Sequence, residues 1–159
     1  MPTLIIQTEI DAPPELCFDL ARDIGFHCAS AAQPGERAVA GITKGLIELG
    51  QSVTFEAVHL GVRQRLTSQV VEFERPARFV DEMTRGAFKS MRHVHEFVPT
   101  AHGTLMIDTL IWVAPLGVLG VLADKLFLDR HMTNFLRERN AKLKSEAERR
   151  HEYGDALLN

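Results

Sequence analysis

The sequence predicts an α+β fold, a curved antiparallel sheet of about seven strands wrapped around a long C-terminal helix, with two short helices after the first strand. Three observations predict it. A β-rich run opens the chain. Six more β-type runs follow between Arg37 and Val113, separated by Gly and Pro breaks, and from Pro115 to about Arg150 the apolar residues recur at helical spacing. A sheet with one apolar face has to bury it, and the final helix is the only predicted element large enough to cover it. A curved sheet closed by a helix leaves a hollow between the two, which is a ligand-pocket architecture.

The elements follow in order. Thr3 to Ile10, "TLIIQTEI", reads as the first strand, and "DAPPELCFDLARD" reads as a helix start. Asp11 or Ala12 is placed near the N-cap, Pro13 and Pro14 fit a first turn, and Glu15 favours the positive end of the helix dipole. A second short helix is expected from Ile24 to Ala32, ended by the turn Gln33-Pro34-Gly35. Strands are then expected at Arg37 to Ile42, Gln51 to Leu60, Arg63 to Glu74, Arg78 to Thr84, Phe88 to Val98 and Thr104 to Val113, and their short connections argue for an antiparallel meander. In the last helix Val121, Leu128, Met132, Phe135 and Leu143 form a stripe that Leu122 and Leu126 widen. Its second half, "RERNAKLKSEAERRHEY", is mostly charged and reads as a solvated face. The chain is expected to be one domain over residues 1–150, with 151–159 a frayed tail.

Composition excludes several function classes. The 159 residues carry 18 basic and 21 acidic side chains, a net charge of −3, which leaves no basic excess for nucleic acid or an anionic membrane. The most apolar run, Leu110 to Ala123, is shorter than the roughly 20 residues a membrane span needs, and Pro115 interrupts it. The N-terminus lacks a basic segment before an apolar core, so the chain is expected to be cytoplasmic. Cys17 and Cys28 read as structural thiols rather than a disulfide framework.

The stretch "MRHVHEF", Met91 to Phe97, carries the chemistry. Strand alternation points His93 and His95 to one face. If "PTAHG" closes the last hairpin with a four-residue loop, Pro99 pairs with Thr104; His95 then faces Asp108, His93 faces Leu110, Met91 faces Trp112 and Phe97 faces Met106. These eight residues combine apolar bulk with a few polar tips, as small-molecule cavities do, and are assigned to the concave side. Phe55, Met83 and Met132 are added as ligand contacts from neighbouring elements. A carboxylate beside a buried imidazole fixes its tautomer and raises its pKa; that suits a general base, and equally a structural or ligand-orienting pair. On this register His95 has Asp108 as partner and His93 has only apolar neighbours.

A metal needs more. His93 and His95 supply two nitrogens, and Asp81, Asp108, His59 or His27 are candidates to complete a set, but two ligands are not a site, and no metal or cofactor is expected. Asp81 suits either the polar cluster or an exposed position. Arg139, on the same helical side as Met132, Phe135 and Leu143, is placed to pair with a carboxylate at the sheet edge, with reaching out to solvent the more ordinary expectation, and His27 sits near the pocket mouth. Gly117 and Gly120 in "PLGVLG" allow close approach at the helix start. No Gly-rich phosphate loop, nucleophile elbow or zinc-protease helix motif is present.

The segments "IDAPPELCFDLARD", "GLIELGQSVTFEA", "ERPARFVDEM", "GAFKSMRHVHEF" and "GTLMIDTLIWVAPLGVLG", followed by the long helix, resemble the START/polyketide-cyclase (SRPBCC) superfamily, over roughly residues 3–148. The stretch "FVDEM…GAF…HVHEF", Phe79 to Phe97, is similar to a bacterial ligand-binding branch of it. The resemblance implies the helix-grip fold of birch-pollen-allergen-like proteins and a hydrophobic small molecule in the cavity. Relatives include both carriers and cyclases or hydrolases, and no catalytic residue of an enzymatic member is matched. Two readings follow. One is binding of a lipid, polyketide or isoprenoid-like molecule; the alternative is a cyclase- or hydratase-type enzyme using His95 and Asp108. A homodimer through the exposed part of the last helix is a further expectation.

Overall fold

The computed structural model describes residues 1–31, 35–59, 61–114 and 127–156. Strand β1 (Thr3–Ile10) is followed by helices α1 (Pro14–Ala21) and α2 (Ile24–Ser30). Then come β2 (Arg37–Gly41), β3 (Ser52–His59), β4 (Val62–Glu74), β5 (Arg78–Arg85), β6 (Ser90–Pro99) and β7 (Thr104–Val113), and the long helix α3 (Asp129–Ala156). The seven strands form one antiparallel sheet in the order β1-β7-β6-β5-β4-β3-β2. The meander is intact from β2 to β7, and the first strand closes onto the last, Thr3 opposite Ile111 and Ile10 opposite Thr104.

The strand boundaries agree with the sequence reading to within about two residues. Helix α1 starts later than expected: Pro13, not Asp11 or Ala12, is the N-cap, and Pro14 is the first helical residue. A proline there loses no hydrogen bond, because the first turn's N–H groups have no helical acceptor. Helix α2 begins at a side-chain cap, with the Phe26 N–H donating to Asp23 Oδ1 at 3.1 Å. Its last residue is Ser30, not Ala32, and Ala32 itself lies outside the described residues. The long helix is described from Asp129 and runs on past Arg150 through Ala156. Gly117, Gly120, Val121, Leu122 and Leu126 lie outside the described residues.

Strict alternation sets the faces. On β7, Thr104, Met106, Asp108, Leu110 and Trp112 are buried and their neighbours are not; on β6, His93, His95 and Phe97 are buried. Helix α1 drops Phe18 onto the sheet, where its ring meets Phe73, Phe79 and Phe97 edge-on at 5.2–5.4 Å between centroids. Thr104 Oγ1 donates to the Ala12 carbonyl at 2.7 Å, which ties the last hairpin to the start of α1. Helix α3 packs on β1 and α1, with Leu136 against Ile6, Leu110 and Trp112, and Leu143 among Ile10, Phe18 and Met106. Among the described residues, α1 and α3 pack on the β1-β7-β6 end of the sheet and leave a hollow over the concave face of β3 to β6.

Candidate functional site

That uncovered part of the sheet lines a cavity of about 350 Å³. Its walls carry Phe55, Leu66, Phe88, Met91, Met132 and Phe135, with Ala57 and Val70 on the sheet side. The volume lies in the range of small-molecule sites. Three of its polar residues, Asp81, His93 and His95, gather where β5 and β6 meet and form one polar end.

The hairpin register is the one read from the loop: Pro99 pairs with Thr104, His95 with Asp108, His93 with Leu110, Met91 with Trp112 and Phe97 with Met106. Asp108 lies behind the imidazoles and serves both. Its Oδ1 is 2.7 Å from His95 Nδ1 and 3.1 Å from His93 Nε2, while Oδ2 accepts from Asn140 Nδ2 on α3 at 2.6 Å. This corrects the expectation that His93 has only apolar neighbours. The two rings stand 3.8 Å apart between centroids, which lets both reach one carboxylate, and Phe79 stacks on the far side of His95 at 4.2 Å.

Asp81 completes the cluster. Register places it opposite His93 on β5; its Oδ1 is 3.6 Å from His95 Nε2 and its Oδ2 accepts from Ser68 Oγ at 3.0 Å. Asp81, His93 and His95 each present a metal-ligating atom, all within 4.8 Å of one another. The sequence reading named Asp81 among four candidates to join the two histidines, and the fold brings it into the group.

Burial and pairing set the charges. Burial alone would raise the Asp108 carboxyl, yet hydrogen bonds from His93 and His95 hold it well below the ordinary carboxylate range. Asp81 behaves likewise: burial pushes it up, and it nevertheless falls to about 2 through His95, the charge of His93 and Ser68. For His95, burial works against protonation, but Asp108 and Asp81 outweigh it and its pKa rises. His93 goes the other way: burial and the neighbouring His95 charge lower it despite Asp108. One imidazole is thus disposed to carry a proton and its neighbour to stay neutral.

Two more groups frame the cavity. His27 pairs with Glu36 at 3.0 Å and stacks on Phe55 at 4.3 Å; burial and the Arg139 charge lower its pKa. Arg139 is 7% exposed and lines the cavity. This corrects the expectation that it reaches out to solvent: α3 turns this side toward the hollow.

The predicted site residues divide. Phe55, Met91, His93, His95, Leu110 and Met132 line the cavity. Phe97, Met106, Asp108 and Trp112 share the concave face but lie under α1 and α3, as core or as support for the histidines, and are not part of its wall. Met83 is displaced as well. It packs at the β5–β6 turn against Gly86, where an added Cβ would sit 2.5 Å from its sulfur. The side chain of His59 lies outside the described residues. Sequence reasoning missed Ser68 and Asn140 altogether; alternation on β4 hints at Ser68, whereas no sequence signal ties Asn140 to Asp108.

The sequence pattern that defines polyketide cyclases, dehydrases and lipid-transport proteins matches residues 1–148. The chain belongs to this polyketide cyclase/dehydrase and lipid-transport family. Solved structures of the same fold include the protein TTHA0849 from Thermus thermophilus, with TM-score 0.75 and 21% identity over 92% of this chain and 97% of that one. CV1439 from Chromobacterium violaceum gives 0.72 and 13% over 93% and 99%. Ginseng major latex-like protein 151 from Panax ginseng gives 0.67 and 13% over 92% and 97%. At these identities the likeness shows the fold alone, the helix-grip arrangement expected for the family. No curated protein matches the sequence. Among the described residues no helix is long and apolar enough to cross a membrane.

Proposed function

We propose that this family member binds a hydrophobic or amphipathic small molecule, of lipid, polyketide or isoprenoid-like character, between its sheet and α3. The observation that carries the reading is the cavity of about 350 Å³, whose wall is largely apolar along Phe55, Leu66, Phe88, Met91, Met132 and Phe135 and which has a polar end at His93, His95 and Asp81. Apolar burial supplies the affinity, roughly 25 cal/mol per Å² removed from water, and the polar end selects. The polar end of the ligand meets His93 and His95, and Arg139 also lines the hollow. The buried Arg139 cation, for which no ion pair to a described carboxylate is formed, favours an acidic or oxygen-rich head group.

Organic extraction of the purified protein followed by mass spectrometry tests this, together with titration of the fluorescent probe 1-anilinonaphthalene-8-sulfonate. A co-purifying apolar compound and saturable probe binding, both lost in Ala57→Trp, are expected, because that side chain fills the hollow from β3. Probe binding unchanged in Ala57→Trp would place the ligand elsewhere and end the reading.

One observation favours a second reading, a cyclase- or hydratase-type enzyme. His95 has Asp108 on one nitrogen and faces Asp81 with the other, inside the cavity, which is the geometry of an oriented acid–base imidazole. It predicts turnover of a carbonyl-bearing ligand that His95→Ala abolishes while leaving probe binding intact. A homodimer through the exposed half of α3 is a separate proposal that light scattering reads; several charges there already pair within the helix, Lys144 with Glu148 and Arg149 and Arg150 with Glu146.

A further inference from the structure

We propose that the polar end of the cavity is a binding site for a divalent transition-metal ion, held by His93, His95 and Asp81. The donor set is two imidazole nitrogens and one carboxylate oxygen, which suits zinc, iron(II), cobalt or nickel rather than calcium or magnesium. The three ligand atoms lie within 4.8 Å of one another, so side-chain rotations of about an ångström bring them onto one ion with bonds near 2.1 Å.

The surroundings are those of a supported metal site. A metal-binding histidine normally gives its other ring nitrogen to a carboxylate, which fixes the tautomer and the ring plane. Asp108 does this for both rings at once, engaging Nε2 of His93 and Nδ1 of His95 and leaving Nδ1 of His93 and Nε2 of His95 uncommitted to it. The uncommitted Nε2 of His95 faces Asp81 at 3.6 Å. Asp108 is anchored from the opposite side by Asn140, and Asp81 is oriented by Ser68. All of these residues except Asn140 sit on adjacent strands β4, β5, β6 and β7, which hold ligands more rigidly than loops do.

Three protein ligands leave further coordination positions open, and here they open into the cavity that His93, His95 and Asp81 line. A water molecule or a head-group oxygen of a cavity ligand can complete the shell. This inference stands apart from the proposed apolar binding: the same walls hold a hydrophobic molecule with or without an ion at their polar end.

The test uses untagged full-length protein, stripped with chelator and titrated with Co²⁺ alone, read by visible d–d absorption, and with Zn²⁺ alone, read by calorimetry and thermal unfolding. The expected result is one equivalent of metal per chain and a concentration-dependent rise in the unfolding temperature. Binding should be lost in His93→Ala and in the isosteric Asp81→Asn, weakened about 10- to 100-fold in Asp108→Asn, and unchanged in His102→Ala, a histidine on the exposed hairpin loop. Asp81→Asn keeps the size of its side chain, and circular dichroism checks that it folds. Absence of saturable binding in the stripped protein, or binding equally tight in Asp81→Asn and His93→Ala, overturns the proposal. The 1-anilinonaphthalene-8-sulfonate titration gives an independent readout, so failure of the metal site and failure of the apolar pocket are told apart.

Discussion

Asp108 is 1% exposed and serves three partners, His93, His95 and Asn140. Removing one member of a buried charged network strands the others, and the loss is typically about 3–5 kcal/mol. Asp108→Ala is therefore expected to lower stability by about that amount in urea unfolding, whereas Ser68→Ala, which removes one hydroxyl donor from a half-buried carboxylate, should lose about 1 kcal/mol. His27 gives a pH signature. Glu36 pairs with it and the charges of Arg139 on α3 and Asp81 on β5 act on it, and burial and Arg139 against the two carboxylates lower its pKa in the folded state. On acidification the unfolded chain takes up this proton first, near pH 6.5, so stability falls as pH drops from there toward the lower folded value. Thermal melts from about pH 7.5 to 5.5 should show a shallower decline in His27→Gln than in the parent protein.

At the scale of elements, the Phe18 ring on α1 locks three strand residues, Phe73, Phe79 and Phe97, and is fully buried. Phe18→Ala should lose about 3–5 kcal/mol, read as a drop in the denaturation midpoint with little change in far-UV dichroism below it. Gly41 at the end of β2 has φ of 70°, and a Cβ there would lie 2.2 Å from the Ser52 carbonyl oxygen. Gly41→Ala should therefore lose about 2 kcal/mol or more and loosen the β2–β3 edge, visible as faster amide exchange. These elements also show what a sequence can disclose. The β6–β7 register was legible because loop length and alternation are local properties, and both name His95 as the residue opposite Asp108. The reach of His93 to that same carboxylate was not, since strand pairing names the directly opposed residue and not the diagonal one. Asn140 and the destination of Arg139 were hidden for a different reason: helical periodicity gives the buried side of α3 but not its position along the sheet, and that position decides which residues meet Asp108 and which meet the cavity.

For the whole molecule, the division of the concave face into a covered end and an open end decides what the protein can hold. Tight packing of α1 and α3 over β1, β7 and β6 buries Phe97, Met106 and Trp112 as core, and the hollow lies over β3 to β6 with Leu110 of β7 at its edge. The strand order has a consequence for synthesis. Strand β1 is made before the other six, and its neighbour in the sheet is β7, with Thr3 opposite Ile111 and Ile10 opposite Thr104. Its hydrogen-bonding edge and the apolar side chain of Ile6 must therefore wait, unsatisfied, until about a hundred further residues have left the ribosome. An unpaired strand edge of this kind is open to pairing with another chain, and arrival of the last hairpin ends that exposure.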